Sequence, residues 1–390
     1  MLHRHHEVGT LLQPNGQVPR PQPLIMVQAS APGKCILFGE HAVVYGQPAV
    51  AVAIDQRMTV SLELNDVWRI DGMRFHPERH PHVEALKQRL WPNGPPLSIK
   101  VQGEVPPASG LGSSAALSVA ASAALRCARG RQIKNDDWGE GWTAARPNSV
   151  YTGPWDIEEG DSLEIGSKSV DVDECAILSH AVEASAQGGR ASPLDSSTCS
   201  HGGCVVLSDN VETELNWLYS RELNDVSWEV HSVVLPDAIE EVWLVIGNTG
   251  IHAPTSEQVA KVALLLEKHP EKIREIETIG IISRKGISAL MKGDMEGVGR
   301  AMSENHLLLR SLGVSCPELE ALITAAAPSS LGVKLTGAGG GGCMIALTRN
   351  PKETSEAIEL AGGRTLISKI AAHGMTVDSD ENTPLWNPFE

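Results

Sequence analysis

Three short segments carry residue types suited to holding a polyphosphate. The densest is Gly337-Ala338-Gly339-Gly340-Gly341-Gly342, five glycines in six residues between two apolar runs. Backbone without Cβ can approach a ligand closely and can adopt positive φ. The run also fits G-x-G-x-x-G, but a dinucleotide fingerprint follows a strand and opens a helix. Here Cys343-Met344-Ile345-Ala346-Leu347-Thr348 reads as a second strand, ended by Arg349-Asn350-Pro351. The segment is therefore strand, glycine turn, strand, and taken alone a purely structural hairpin explains it equally well.

The second segment is Pro106-Pro107-Ala108-Ser109-Gly110-Leu111-Gly112-Ser113-Ser114-Ala115-Ala116. Two glycines permit a tight loop. Ser113 and Ser114 stand where an N-cap belongs, ahead of an Ala-rich stretch that predicts a helix over 114–129, closed by Gly130. A loop that opens a helix presents free N–H groups and the positive dipole end, where phosphates fit. Serine hydroxyls can also reach a metal ion. It is not a Walker A loop, because G-x-x-x-x-G-K-[ST] is absent; by itself it could be a plain capped helix. The third segment runs from Ala31 to Gly46. Lys34 opens the apolar stretch Cys35-Ile36-Leu37-Phe38, and Glu40 and His41 follow at a Gly-bounded turn. Three ionisable side chains around one apolar strand favour a polar site over core.

Taken in chain order, the three segments resemble the first, second and third motifs of the GHMP kinases. Gly39-Glu40-His41-Ala42-Val43-Val44-Tyr45-Gly46 and Lys334-Leu335-Thr336 with its glycines resemble the mevalonate-kinase branch. So does Glu304-Asn305-His306-Leu307-Leu308 through Ser315. Arg190-Ala191-Ser192-Pro193-Leu194-Asp195-Ser196-Ser197-Thr198 resembles the archaeal segment that carries the catalytic carboxylate. The resemblance covers roughly residues 26–130 and 172–375. It implies an α+β fold of two domains, an N-terminal ribosomal-S5-like domain and a C-terminal ferredoxin-like domain. ATP and the acceptor would meet in the cleft between them. The implied reaction is phosphorylation of the primary hydroxyl of mevalonate, an isoprenoid-biosynthesis step.

The same resemblance implies roles. Asp195 would be the catalytic acidic residue and Lys34 its partner. ATP would lie on Pro107, Ser109, Gly110, Leu111, Gly112, Ser113, Ser114 and Ala115. Ser114 and Glu183 would ligate Mg2+, although the spacing from Glu183 to Asp195 is one residue longer than expected. Glu40, His41, Gly337, Ala338, Gly339 and Gly340 would face the acceptor. Two rival readings are another GHMP small-molecule kinase (phosphomevalonate, sugar or homoserine acceptor) and a non-catalytic sensor on the same fold. The full set of catalytic residue types speaks against the sensor.

Composition sets limits. At 390 residues, two domains with their own cores are expected. A net charge of −16 argues against nucleic acid or an anionic membrane surface as partner. No apolar run reaches membrane-spanning length, and the N-terminus has no signal-like apolar core. Seven cysteines without a C-x-x-C pair suggest reduced thiols in a cytoplasm. A homodimer is left open.

Residues 1–24, rich in Pro, His and Gln, read as a disordered tail. The N-terminal ATP-binding domain is expected over 25–212 and the C-terminal domain over 213–390. Residues 131–172 contain Trp138, Trp142 and Trp155 without clear periodicity and read as an insertion. Val172 to Glu183 reads as an amphipathic helix, and Cys199 to Cys204 as strand and turn. Further helices are expected over roughly 274–292, 294–311 and 316–328.

Overall fold

A computed structural model describes residues 26–133, 162–186, 191–223, 226–379 and 385–386. The expectations for the 1–24 tail and for the three tryptophans of 131–172 lie outside them. The first half of the chain runs through strands β1 (Val27–Phe38), β2 (Ala49–Leu64), β3 (Arg69–Ile70) and β4 (Met73–Arg74). Helix α1 (Pro81–Leu90), strand β5 (Leu97–Gly103) and helix α2 (Ser113–Arg129) follow. Then come a ribbon of β6 (Arg131–Ile133) and β7 (Ser162–Glu164), helices α3 (Val172–Ala186) and α4 (Leu194–His201), and β8 (Cys204–Ser208), β9 (Asn216–Leu223) and β10 (Val226–Ser232). The second half has β11 (Trp243–Asn248), α5 (Thr255–Lys268), α6 (Ile273–Lys292), α7 (Met295–Ser311) and α8 (Pro317–Ala326). It ends with β12 (Gly332–Thr336), β13 (Cys343–Thr348), α9 (Pro351–Leu360), β14 (Arg364–Ser368) and β15 (Thr376–Ser379).

Among the described residues nine strands form the first sheet, in the order β4-β3-β5-β2-β8-β10-β9, with β1 on β2 and β15 on β1. The second sheet has the order β12-β13-β11-β14. The expected boundary falls at 212/213. β9 and β10 lie past it yet extend the first sheet, and β15 returns to that sheet from the C-terminal end. Backbone pairing, not chain order, decides where the domains divide.

The long strand β2 pairs with β5 along its second half and with β8 along its first. Strand β1 from Ala31 onward and strand β2 up to Ile54 are buried on both faces. Ile36, Ala49 and Ala51 pack under α2, while Leu37, Val50, Val52 and Ile54 pack against Leu244, Ile246, Ile345 and Leu347 of the second sheet and against α6 and α7. The two domains thus share apolar core, which fixes the cleft at its edge.

Helix α2 is Ala-rich because its surroundings leave no room for larger side chains: Ala115, Ala116, Ala120, Ala123, Ala124 and Ala128 are fully buried. A Leu in their place would overpack at a cost of about 1–3 kcal/mol. Its cap differs from the expectation. The N-cap is Gly112, in the left-handed region, and no side chain caps the helix. Ser113 and Ser114 are its first two helical residues, which frees both hydroxyls to face outward. Helix α3 is not amphipathic. Residues 174–184 are buried, including Glu174, which is ion-paired with buried Arg126. The Cys199–Cys204 stretch is the end of α4 and the start of β8, not strand and turn. Among the described residues no helix is long and apolar enough to cross a membrane.

Candidate active site

The β1–β2 pairing has a register shift between Pro32 and Lys34, and there β1 meets the 106–112 loop. The Lys34 N–H then donates to the Leu111 carbonyl at 2.9 Å, and Lys34 Nζ donates to the Gly110 carbonyl at 3.0 Å. The same Nζ lies 3.1 Å from Asp195 Oδ1, in the first turn of α4. Burial pulls the Lys34 pKa down, but the Asp195 carboxylate outweighs it and the net shift is upward. The ammonium therefore stays charged in a dry wall.

Across the loop sits the glycine hairpin between β12 and β13. Gly110 (φ +82°) and Gly337 (φ +80°) face each other backbone to backbone. A Cβ on Gly110 would lie 3.0 Å from the Thr336 carbonyl, and one on Gly337 would lie 3.1 Å from Gly110 Cα. Only glycine allows both the conformation and the approach. The first and third motifs are joined as well, because the Ile36 N–H donates to Thr336 Oγ1 at 2.9 Å.

These elements wall a cavity of about 450 Å³. Lys34, Asp195 and Glu183 line it, with Pro107, Ser109, Gly110, Gly112, Ser113 and Ser114 along the loop side and His41, Gly337 and Ala338 opposite. Ser114 Oγ donates to Glu183 Oε2 at 3.1 Å, so two hard oxygen donors stand together at the helix start. Glu183 Oε1 lies 3.2 Å from His82 Nδ1 on α1.

Some expected site residues fall elsewhere. The Leu111 and Ala115 side chains are fully buried in the two apolar cores, which leaves only their backbone for a ligand. Gly339 lines a smaller neighbouring cavity. Gly340 donates its N–H to the Val314 carbonyl at 2.7 Å and packs against Gln258, so it faces α5. Glu40 touches the cavity wall, but its side chain is committed to the interior. One oxygen is ion-paired with Lys334 Nζ and the other accepts from Asn305 Nδ2 at 3.3 Å. Burial raises the Glu40 pKa and lowers that of Lys334. Glu40 thus ties the first motif to α7 and β12 and has little left for an acceptor. His41 takes φ +61° and its Nε2 donates to the Ala338 carbonyl at 2.9 Å. Burial lowers its pKa, so the ring is neutral.

Sequence reasoning missed Lys334, Asn305 and His82 as partners of site residues, and Thr255 and Val259 of α5 as lining. Lys334 and Asn305 both sit inside segments that carry the family resemblance. Nothing local marks His82.

A glycine loop at a helix start, a Lys–Asp pair and a glycine hairpin meeting across two α+β domains define a small-molecule kinase of the GHMP type. The models of the GHMP kinases N terminal domain and the GHMP kinases C terminal match residues 81–145 and 287–362. The chain is 35% identical to the mevalonate kinase of Archaeoglobus fulgidus, over 83% of this chain and 93% of that one. It is 34% identical to that of Methanothermobacter thermautotrophicus, over 82% and 89%. It belongs to the mevalonate kinase family of the GHMP kinases. The crystal structure of the Methanococcus jannaschii mevalonate kinase superposes with a TM-score of 0.62 over 91% of this chain and all of that one; at 23% identity this speaks for the fold.

Proposed function

We propose that the chain transfers the γ-phosphoryl group of ATP to the primary hydroxyl of mevalonate, giving 5-phosphomevalonate and ADP. The observation that carries this reading is the Lys34–Asp195 pair, 3.1 Å apart, set beside the 110–114 loop in one cavity.

Phosphoryl transfer needs positioning, charge neutralisation and in-line attack. The loop residues and the first turn of α2 supply backbone donors for the phosphates. Asp195, with its side chain 38% exposed, reaches the acceptor space and takes the hydroxyl proton as the oxygen bonds to the γ-phosphorus. The bond from that phosphorus to the β–γ bridging oxygen breaks, and ADP leaves. Lys34 pairs with the Asp195 carboxylate and offsets the negative charge that develops on the alkoxide. His41, with Gly337 and Ala338, shapes the acceptor side.

Mg2+ fits the Ser114 and Glu183 oxygens, which are hard donors held within hydrogen-bond distance of each other. When bound there, the cation would neutralise phosphate charge. The seven cysteines are free thiols, six of them buried, as suits a chain working in a reducing cytoplasm.

A coupled ATPase assay with a panel of alcohols, and mass spectrometry of the product, tests the reading. Mevalonate should be turned over fastest. Faster turnover of phosphomevalonate, galactose or homoserine would reassign the acceptor. Binding of nucleotide with no turnover of any alcohol would make the chain a sensor.

A further inference from the structure

Behind the segment that carries Asp195 lies a buried polar cluster that the phosphoryl transfer just described does not use. On β9, Tyr219, Arg221 and Leu223 alternate inward and are buried. Arg221 Nε donates to His180 Nδ1 at 3.0 Å. That nitrogen must then be an acceptor, so the ring proton sits on Nε2. Nε2 in turn donates to the Ala191 carbonyl at 2.9 Å. Burial, and then the neighbouring guanidinium, hold His180 neutral, with its pKa down to about 3. The Trp228 ring meets the imidazole edge to face at 5.8 Å, which fixes its plane.

A second chain of bonds runs beside the first. Tyr219 OH meets Ser197 Oγ at 2.8 Å, and that hydroxyl reaches the Pro193 carbonyl at 2.5 Å. The two chains end on carbonyls 191 and 193, which flank Ser192. Residues 191 and 192 belong to no helix or strand, and Ala191, Ser192, Leu194 and Asp195 all line the cavity. An Arg–His pair is costly to bury, and an apolar pair would pack this space at lower cost. Its geometry, directed at irregular backbone just before Asp195, explains its presence.

We propose that Arg221 and His180 are positioning residues that set the backbone at Ala191–Pro193 and thereby aim the Asp195 carboxylate at Lys34 and the acceptor hydroxyl. The proposal rests on the phosphoryl-transfer reading for the role of Asp195 and is independent of which alcohol is the acceptor.

The test compares His180→Leu, which removes the donor, with His180→Gln, which keeps an N–H at nearly the same place. Turnover is measured with whichever alcohol the wild-type chain uses fastest. A wrong acceptor therefore shows in the wild-type panel, and a wrong relay shows in the variants. His180→Leu should lose roughly tenfold or more in kcat per ATP-binding site with little change in the KM for ATP, because a small misplacement of a reacting group is costly. His180→Gln should recover most of it. A merely structural role would lower folded yield and Tm in both variants and leave kcat per ATP-binding site unchanged. That result, or a His180→Gln as slow as His180→Leu, overturns the proposal. Should His180→Leu not fold, nitrogen-15 NMR of the wild-type chain decides. It should show a neutral Nε2–H ring from about pH 5 to about pH 9, and an Nδ1–H or doubly protonated ring refutes the relay.

Discussion

Lys34 Nζ and Asp195 Oδ1 are 3.1 Å apart, yet their side chains are 3% and 38% exposed. The cation is walled in and the carboxylate opens onto the cavity. The pair therefore has one fixed member and one that can meet a substrate. Asp195 is also what keeps Lys34 charged against its burial.

Asp195→Asn should lower kcat by roughly three to four orders of magnitude, because it removes both a base and the charge that Lys34 balances. ATP binding by calorimetry should stay near the wild-type value. Near-normal turnover would place the base elsewhere.

Glu183→Gln and Ser114→Ala should raise the Mg2+ concentration needed for half-maximal rate at fixed ATP. The larger effect belongs to Glu183, since a carboxylate contributes charge and a hydroxyl does not. An unchanged Mg2+ titration for Glu183→Gln would move the metal role to another carboxylate, as its long spacing to Asp195 allows.

Glu40→Gln should destabilise the chain by roughly 3–5 kcal/mol in urea unfolding, because it strands the Lys334 ammonium in the interior. Glu40→Gln combined with Lys334→Met should cost clearly less than the sum of the single variants. Additive losses would mean that the two groups are not coupled.

Acid should weaken the fold through His180. The unfolded imidazole binds a proton below about pH 6.5, while the native ring refuses one until about 3. Stability is thus intact above about 6.5 and falls as the pH drops toward 3, by up to about 1.4 kcal/mol per pH unit for this one group. Chemical denaturation between pH 7.5 and 5 should show a steeper loss for the wild type than for His180→Gln. Equal slopes would show that His180 is not held neutral.

Replacing 134–161 by a short Gly/Ser turn should leave phosphorylation within about tenfold, since Ile133 and Ser162 are paired neighbours and loop closure depends weakly on length. The remainder of the expected 131–172 insertion should be kept, because buried Ser169 donates to the Arg126 carbonyl at the end of α2. A folded but inactive deletion variant would mean that these residues supply part of the site.

What the sequence determined by itself was local. Alanine propensity and Gly130 marked α2, Gly337–Gly342 marked the β12–β13 turn, and apolar periodicity marked α6, α7 and α8 close to their true limits. These signals arise within a few residues, from backbone freedom and side-chain spacing. The presence of Lys34, Asp195, Ser114 and Glu183 as site candidates was legible too, through short motifs. The tertiary structure decided what such signals cannot carry. Glu40 meets Lys334 across 294 residues, and that bond turns an expected substrate contact into an interdomain tie. Strand β15 joins the first sheet by pairing with β1 from the far end of the chain, and β10 pairs with β8 and carries β9 with it past the expected boundary. His180, one helical side chain among many, acquires its meaning only when β9 brings Arg221 behind it and the loop brings the Ala191 carbonyl in front. Desolvated pairs and sheet register depend on which distant surfaces are buried together, and no short window of residues encodes that.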